Sequence, residues 1–147
     1  MTKLDVLRTE HDAALTMAAR LLALAEAADP RGAAIPIVMQ LNRLLGLIRA
    51  HLAQEDAELY PALVASTDPE VARLAQRYVD EMGGLAHEFE CFARRWSCSD
   101  SIAGSIVEFR SAVRQLVRAL SERIERENLN LYPLAEAEAS KQARKAA

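Results

Sequence analysis

Residues 71–96 read VARLAQRYVDEMGGLAHEFECFARRW, and within them Val71, Leu74, Tyr78, Met82, Leu85, Phe89, Phe92 and Trp96 recur at intervals of three and four. That interval returns side chains to one face of a helix, and a stripe this long has to be covered by other helices. The same period extends outward in both directions. Leu4, Leu7, His11, Ala18, Leu22 and Ala25 make a first stripe, on a helix running from Thr2 or Lys3 to Ala28, and Asp29, Pro30, Arg31 and Gly32 interrupt it. A second helix begins near Pro36, which loses no intrahelical donor in a first turn, and continues to Ala62 or Ala65 with Leu41, Leu44, Leu45, Ile48, Leu52, Leu59 and Leu63 inward. Thr67 or Asp68 caps the third helix ahead of Pro69. Ser97 to Ser101 connects it to a fourth, whose inward face is Ile106, Phe109, Val113, Leu116, Leu120 and Ile124. Four long elements joined by short turns predict an all-α fold, an antiparallel up-down-up-down four-helix bundle.

The bulk properties agree with one such domain over residues 1–147, with a polar tail after about Ala139 that is expected to fray. Of 147 residues 51% are apolar, enough for a core without disulfides, and only five Gly and five Pro punctuate the chain. A formal net charge of -3 supplies no strong field for a nucleic-acid backbone, and Arg94 and Arg95 form too small a patch to imply nucleic-acid specificity. Cys91 and Cys98 are too few for a disulfide framework and are not spaced as a metal-binding repeat. No stretch has the uninterrupted apolar length of a membrane span or secretory signal, so the chain reads as soluble and cytoplasmic.

Chemistry enters where polar residues share the apolar stripes. His51 and Glu55, four residues apart, project to one face beside Ile48, Leu52 and Leu59. In isolation such a pair is an ordinary surface pair. Here His11 lies among Leu4, Leu7, Ala18 and Leu22, and Glu127 occupies the position matching Glu55 in an internal echo. That echo relates Glu55-Asp-Ala-Glu-Leu-Tyr-Pro61 to Glu127-Asn-Leu-Asn-Leu-Tyr-Pro133. Two imidazoles and two carboxylates from three helices suit iron, manganese or zinc, with water at open positions. On the third helix His87 points away from the stripe. Glu81, nearer its edge, is the candidate for an additional ligand, although an exposed acid is the commoner reading. Tyr60 and Tyr132 either pack the bundle ends or hydrogen-bond to the ligand shell.

Glu10-His11, His51-Leu-Ala-Gln-Glu55 with Leu59-Tyr60-Pro61, and Arg123-Ile-Glu-Arg-Glu127 with Leu131-Tyr132-Pro133 together resemble the hemerythrin-like, or HHE cation-binding, family over nearly the whole chain. The resemblance implies a four-helix bundle holding non-haem iron, with His11 and His51 as terminal ligands and Glu55 and Glu127 as bridging carboxylates. It also implies a protein that binds or senses dioxygen, nitric oxide or iron, or that serves in stress responses. The family commonly has histidine where this chain has Arg123. A guanidinium has no lone pair for a metal and pairs naturally with Glu127 or Glu55. The expected iron is therefore mononuclear or an incomplete diiron centre. One alternative is a metal-free interaction or stress-response module in which Arg123 replaces the ligand. Another is a weak iron-dependent oxidoreductase. No separate general acid/base pair is evident, which favours a binding protein over an enzyme. The expected partners are a small diatomic ligand and a second copy of the chain in a homodimer.

Overall fold

The computed structural model describes residues 1–27 and 29–147, and among these there is no strand. The helices are α1 (Lys3–Glu26), α2 (Ala34–Gln54), α3 (Tyr60–Val64), α4 (Pro69–Met82), α5 (Gly84–Arg95), α6 (Ser99–Gly104), α7 (Ile106–Arg126) and α8 (Tyr132–Ala146). Two π-helical turns, Glu55–Leu59 and Glu127–Leu131, join α2 to α3 and α7 to α8. The expected end of the first helix at Ala28 lies outside the described residues. No helix among the described residues is long and apolar enough to cross a membrane.

Local chemistry sets the helix starts. Thr2 caps α1: its hydroxyl accepts from the Asp5 backbone N–H at 3.1 Å, while Asp5 Oδ2 accepts from the Thr2 N–H at 2.8 Å. Asp68 caps α4 by accepting from the Glu70 N–H at 3.0 Å. α2 starts two residues before Pro36, which still lies in the first turn, where its missing N–H has no partner to lose. In α1 the buried set is Leu7, His11, Ala14, Ala18, Leu21 and Ala25. This puts Leu21 fully inside and leaves Leu22, expected inward, half-buried.

The long second and fourth helices are not regular. Pro61 has no N–H, and its ring would press on the carbonyl four residues back. The chain accommodates it with a wider turn in which the Tyr60 N–H bonds to the Glu55 carbonyl, five residues earlier. The extra residue shifts the helical phase. Below Glu55 the buried residues become Tyr60 and Leu63, and Leu59, expected inward, turns half out. The echo before Pro133 does the same, with the Tyr132 N–H on the Glu127 carbonyl.

The third stripe is also divided, since α4 and α5 meet at Gly83 instead of forming one helix. Where a plain connection was expected after Trp96, Ser99–Gly104 forms the short α6, which buries Ile102. The tail beyond Ala139, expected to fray, is helical to Ala146 but exposed throughout.

α1 packs against α2 and α7, and α5 packs against the same two helices. Two apolar clusters result. The larger contains Leu21, Leu41, Leu44, Ile48, Phe89, Phe109, Val113 and Leu120, with Trp96 edge-on to Phe109 at 5.2 Å between ring centroids. The smaller contains Leu7, Tyr60, Leu63, Val71, Ala75, Leu131 and Tyr132. Along α1, α2 and α7 the chain passes from one cluster to the other through a buried polar residue, and these residues make up the site.

Candidate metal centre

His11 from α1, His51 from α2, and Glu55 and Glu127 at the first positions of the two π turns converge at that junction. One ligand atom from each lies within 4.8 Å of all the others. Their residue exposures are 1%, 4%, 0% and 1%, so bulk solvent does not reach either carboxylate. Arg123, one turn before Glu127 on α7, completes the layer and is also buried. A cavity of about 10 Å³ adjoins both imidazoles; apart from the polar residues it is lined by aliphatic side chains, including Leu47, Ile48, Leu85 and Leu120.

Each polar atom has a defined partner except one. His11 Nδ1 donates to Asn128 Oδ1 at 2.8 Å, and its Nε2 lies 2.9 Å from Glu127 Oε2 and 3.1 Å from the Tyr132 hydroxyl. His51 Nδ1 donates to Glu10 Oε2 at 2.7 Å. That leaves His51 Nε2 buried 3.2 Å from Glu55 Oε1 without an aligned hydrogen bond. With the proton on Nδ1, a nitrogen lone pair faces a carboxylate oxygen. Two acceptors remain opposed in a dry site only when a proton or a cation sits between them. A carboxylate holding the far nitrogen while the near one faces other donors is the usual second layer of support for a metal-binding imidazole. The residues therefore fit a cation bound by two nitrogens and two oxygens.

The carboxylates are shared with Arg123. Its Nη2 donates to Glu55 Oε2 at 3.2 Å, its Nε to Glu127 Oε1 at 2.5 Å and its Nη1 to the Met82 carbonyl at 3.1 Å. Tyr132 donates its hydroxyl to Glu55 Oε1 at 2.7 Å, and the Tyr60 hydroxyl lies 3.5 Å from Glu127 Oε1 and 3.7 Å from Met82 Sδ.

These contacts set the ionisation. Burial alone would raise the Glu127 pKa, but the His11 hydrogen bond and the Arg123 charge and hydrogen bond outweigh it and hold this carboxyl below its ordinary range. For His51 burial favours the neutral ring, yet Glu55, Glu10 and Glu127 prevail and raise its pKa. Burial, reinforced by the nearby carboxylates, pushes both tyrosine hydroxyls up, so they stay protonated donors.

Glu81 is not brought to this layer. It is exposed and paired with Arg77, at 3.0 Å, and with Arg126, because α4 turns its edge toward solvent one residue before Met82. His87 is likewise exposed, 3.4 Å from Cys91 Sγ. The third stripe instead contributes a backbone group, the Met82 carbonyl freed where α4 ends at Gly83. Asn128 and that carbonyl are participants the residue pattern did not single out, and Glu10, which the pattern marks only as the neighbour of His11, gains a contact of its own with His51. Glu10 is one residue from His11 and so points about 100° away from it, toward α2, where it meets His51. Asn128 is carried inward by the π turn.

The layer defines a helical protein with a buried two-histidine, two-carboxylate group able to hold a metal ion. The chain belongs to the hemerythrin HHE cation-binding family, whose domain model matches residues 2–135. No curated protein and no solved structure matches it.

Proposed function

We propose that the protein is a non-haem iron-binding protein that binds or senses a small diatomic molecule, dioxygen or nitric oxide. In this reading α1, α2, α4 with α5, and α7 run as an up-down-up-down bundle around the metal. His11 Nε2, His51 Nε2, Glu55 Oε1 and Glu127 Oε2 hold the ion. The observation that carries the reading is the buried, unpartnered His51 Nε2, oriented by Glu10 toward three other ligand atoms. Mixed imidazole and carboxylate ligation suits a borderline divalent metal, and bound iron supplies reversible redox and diatomic-ligand chemistry. Glu10 and Asn128 fix the imidazole planes, Tyr132 steadies Glu55, and the cavity of about 10 Å³ beside the imidazoles is no larger than a single water needs.

The test is metal analysis with visible absorption on protein purified without oxygen, repeated after adding nitric oxide. Wild-type protein is expected to hold stoichiometric iron whose absorption changes reversibly with the gas, and His51→Ala to lose the iron while keeping its helical circular dichroism. Iron-free wild-type protein that refuses added Fe(II) defeats the reading. It would favour a second one, a metal-free module whose carboxylates Arg123 neutralises; the contacts of Arg123 with both Glu55 and Glu127 are its support.

A further inference from the structure

We propose that the Arg123 guanidinium occupies the place of a second cation, so that the centre takes one divalent metal ion and no more; this rests on the metal-binding reading above. The division of the carboxylate oxygens supports it. Glu55 turns Oε1 toward His51 and Oε2 toward Arg123, and Glu127 turns Oε2 toward His11 and Oε1 toward Arg123. Both carboxylates thus bridge an imidazole side, where a cation fits, and a side already filled by a positive charge. A pair of carboxylates bridging two metal ions would divide their oxygens in the same manner, one to each ion.

The internal echo explains how this arose in the chain. With one constant offset, Glu55, Tyr60 and Pro61 correspond to Glu127, Tyr132 and Pro133, and His51 corresponds to Arg123. One half offers an imidazole at this position, and the other offers a group with five donors and no lone pair. Arg123 is also tethered. Its third contact, to the Met82 carbonyl at the break between α4 and α5, fixes the guanidinium from the side opposite the carboxylates, and only 9% of the residue is exposed. The helices that could have supplied a further side-chain ligand here supply a backbone oxygen, which suits a guanidinium.

Charge limits the count independently. Glu55 and Glu127 inside the layer, with Glu10 at its edge where its side chain is 24% exposed, bring three negative charges to the site, and Arg123 with one divalent ion cancels them. A second divalent ion beside Arg123 would leave two uncompensated positive charges in a site that water barely reaches.

Native mass spectrometry of the whole chain, titrated with Zn(II) and separately with Fe(II) under anaerobic conditions, reads the count directly. Wild type is expected to saturate at one ion. Arg123→His places an imidazole four residues before Glu127, as His51 precedes Glu55. It also opens space next to a cavity of about 60 Å³ that touches Arg123, Tyr60 and Gly83, so the expected count doubles to two. Arg123→Lys keeps the charge and adds no ligand at neutral pH, and is expected to remain at one. Wild type saturating at two ions overturns this inference alone, whatever the variants do. Helical Arg123→His protein that stays at one also overturns it. Wild type that takes none overturns the metal-binding reading and this inference together.

Discussion

Arg123→Met removes the guanidinium while keeping much of the side chain's length and apolar bulk. Three hydrogen bonds disappear, to Glu55, Glu127 and the Met82 carbonyl, and two carboxylates of 0% and 1% exposure lose their only permanent positive partner. Breaking a buried ion pair from one side costs about 3–5 kcal/mol, because the remaining charge stays desolvated. For a domain of this size each kcal/mol moves Tm by roughly 2–4 °C, which puts the expected fall between about 6 and 20 °C. The assay is urea and thermal unfolding in excess chelator, so that bound cations do not offset the loss. The deficit should shrink as pH falls toward 5, since the orphaned carboxylates can then take up protons, and grow toward pH 8. Adding Glu127→Gln to Arg123→Met should recover part of it. Free Zn(II) at 100 times its Kd should return about 2.7 kcal/mol. A loss below about 1 kcal/mol in chelator, or one that does not vary with pH, would refute the view that Arg123 compensates the two carboxylates.

Other contacts give shorter tests. Glu10→Gln keeps an acceptor near His51 Nδ1 but removes its charge; calorimetric titration with Zn(II) should show affinity about 10–100-fold weaker, and an unchanged Kd would detach Glu10 from the site. Because its folded-state pKa is raised above the ordinary 6.5, His51 contributes stability to the metal-free protein that is fully present below pH 6.5 and is lost as pH rises through the raised value. Chelated protein should therefore lose stability across that window in urea melts, while cation affinity, which requires a free Nε2, rises over the same range. Tyr132→Phe withdraws the hydroxyl from Glu55 Oε1 and should cost about 1–3 kcal/mol in urea unfolding; a neutral result would mean that Glu55 finds another donor.

Much of this layer is legible in the sequence because a helix has a fixed period. Leu7, His11 and Ala18 on α1, and Leu44, Ile48 and His51 on α2, keep the three-and-four spacing, so a polar residue inside the stripe is marked as inward-facing by sequence position alone. The reading loses its footing where the period changes. At Glu55–Leu59 the π turn inserts a residue, and simple extrapolation selects Leu59 where the fold buries Tyr60. It also treats Val71 to Trp96 as one helix, because a stripe can pass over Gly83 and Gly84 without a change of phase large enough to notice. The Met82 carbonyl that meets Arg123 is a backbone atom exposed by that break, and no side-chain pattern announces it.

The two prolines show why the echo carries more than helix punctuation. Each forces the wide turn that begins at a site carboxylate, and each wide turn ends by carrying a tyrosine inward, directly before the proline. The tyrosines then cross between halves. Tyr132, from the second turn, donates to Glu55 at the start of the first, and Tyr60, from the first, approaches Glu127 at the start of the second. A regular helix would place Tyr60 well off the Glu55 face, since five residues at about 100° each leave them some 140° apart. The π turn removes most of that angle. The same irregularity that defeats period counting thus lets one short motif supply both a carboxylate to its own end of the site and a hydroxyl donor to the other half's carboxylate. Glu55 and Tyr60, and likewise Glu127 and Tyr132, are therefore coupled through backbone geometry, and changing Pro61 or Pro133 acts on the site through the phase of the helix without removing a side chain that touches it.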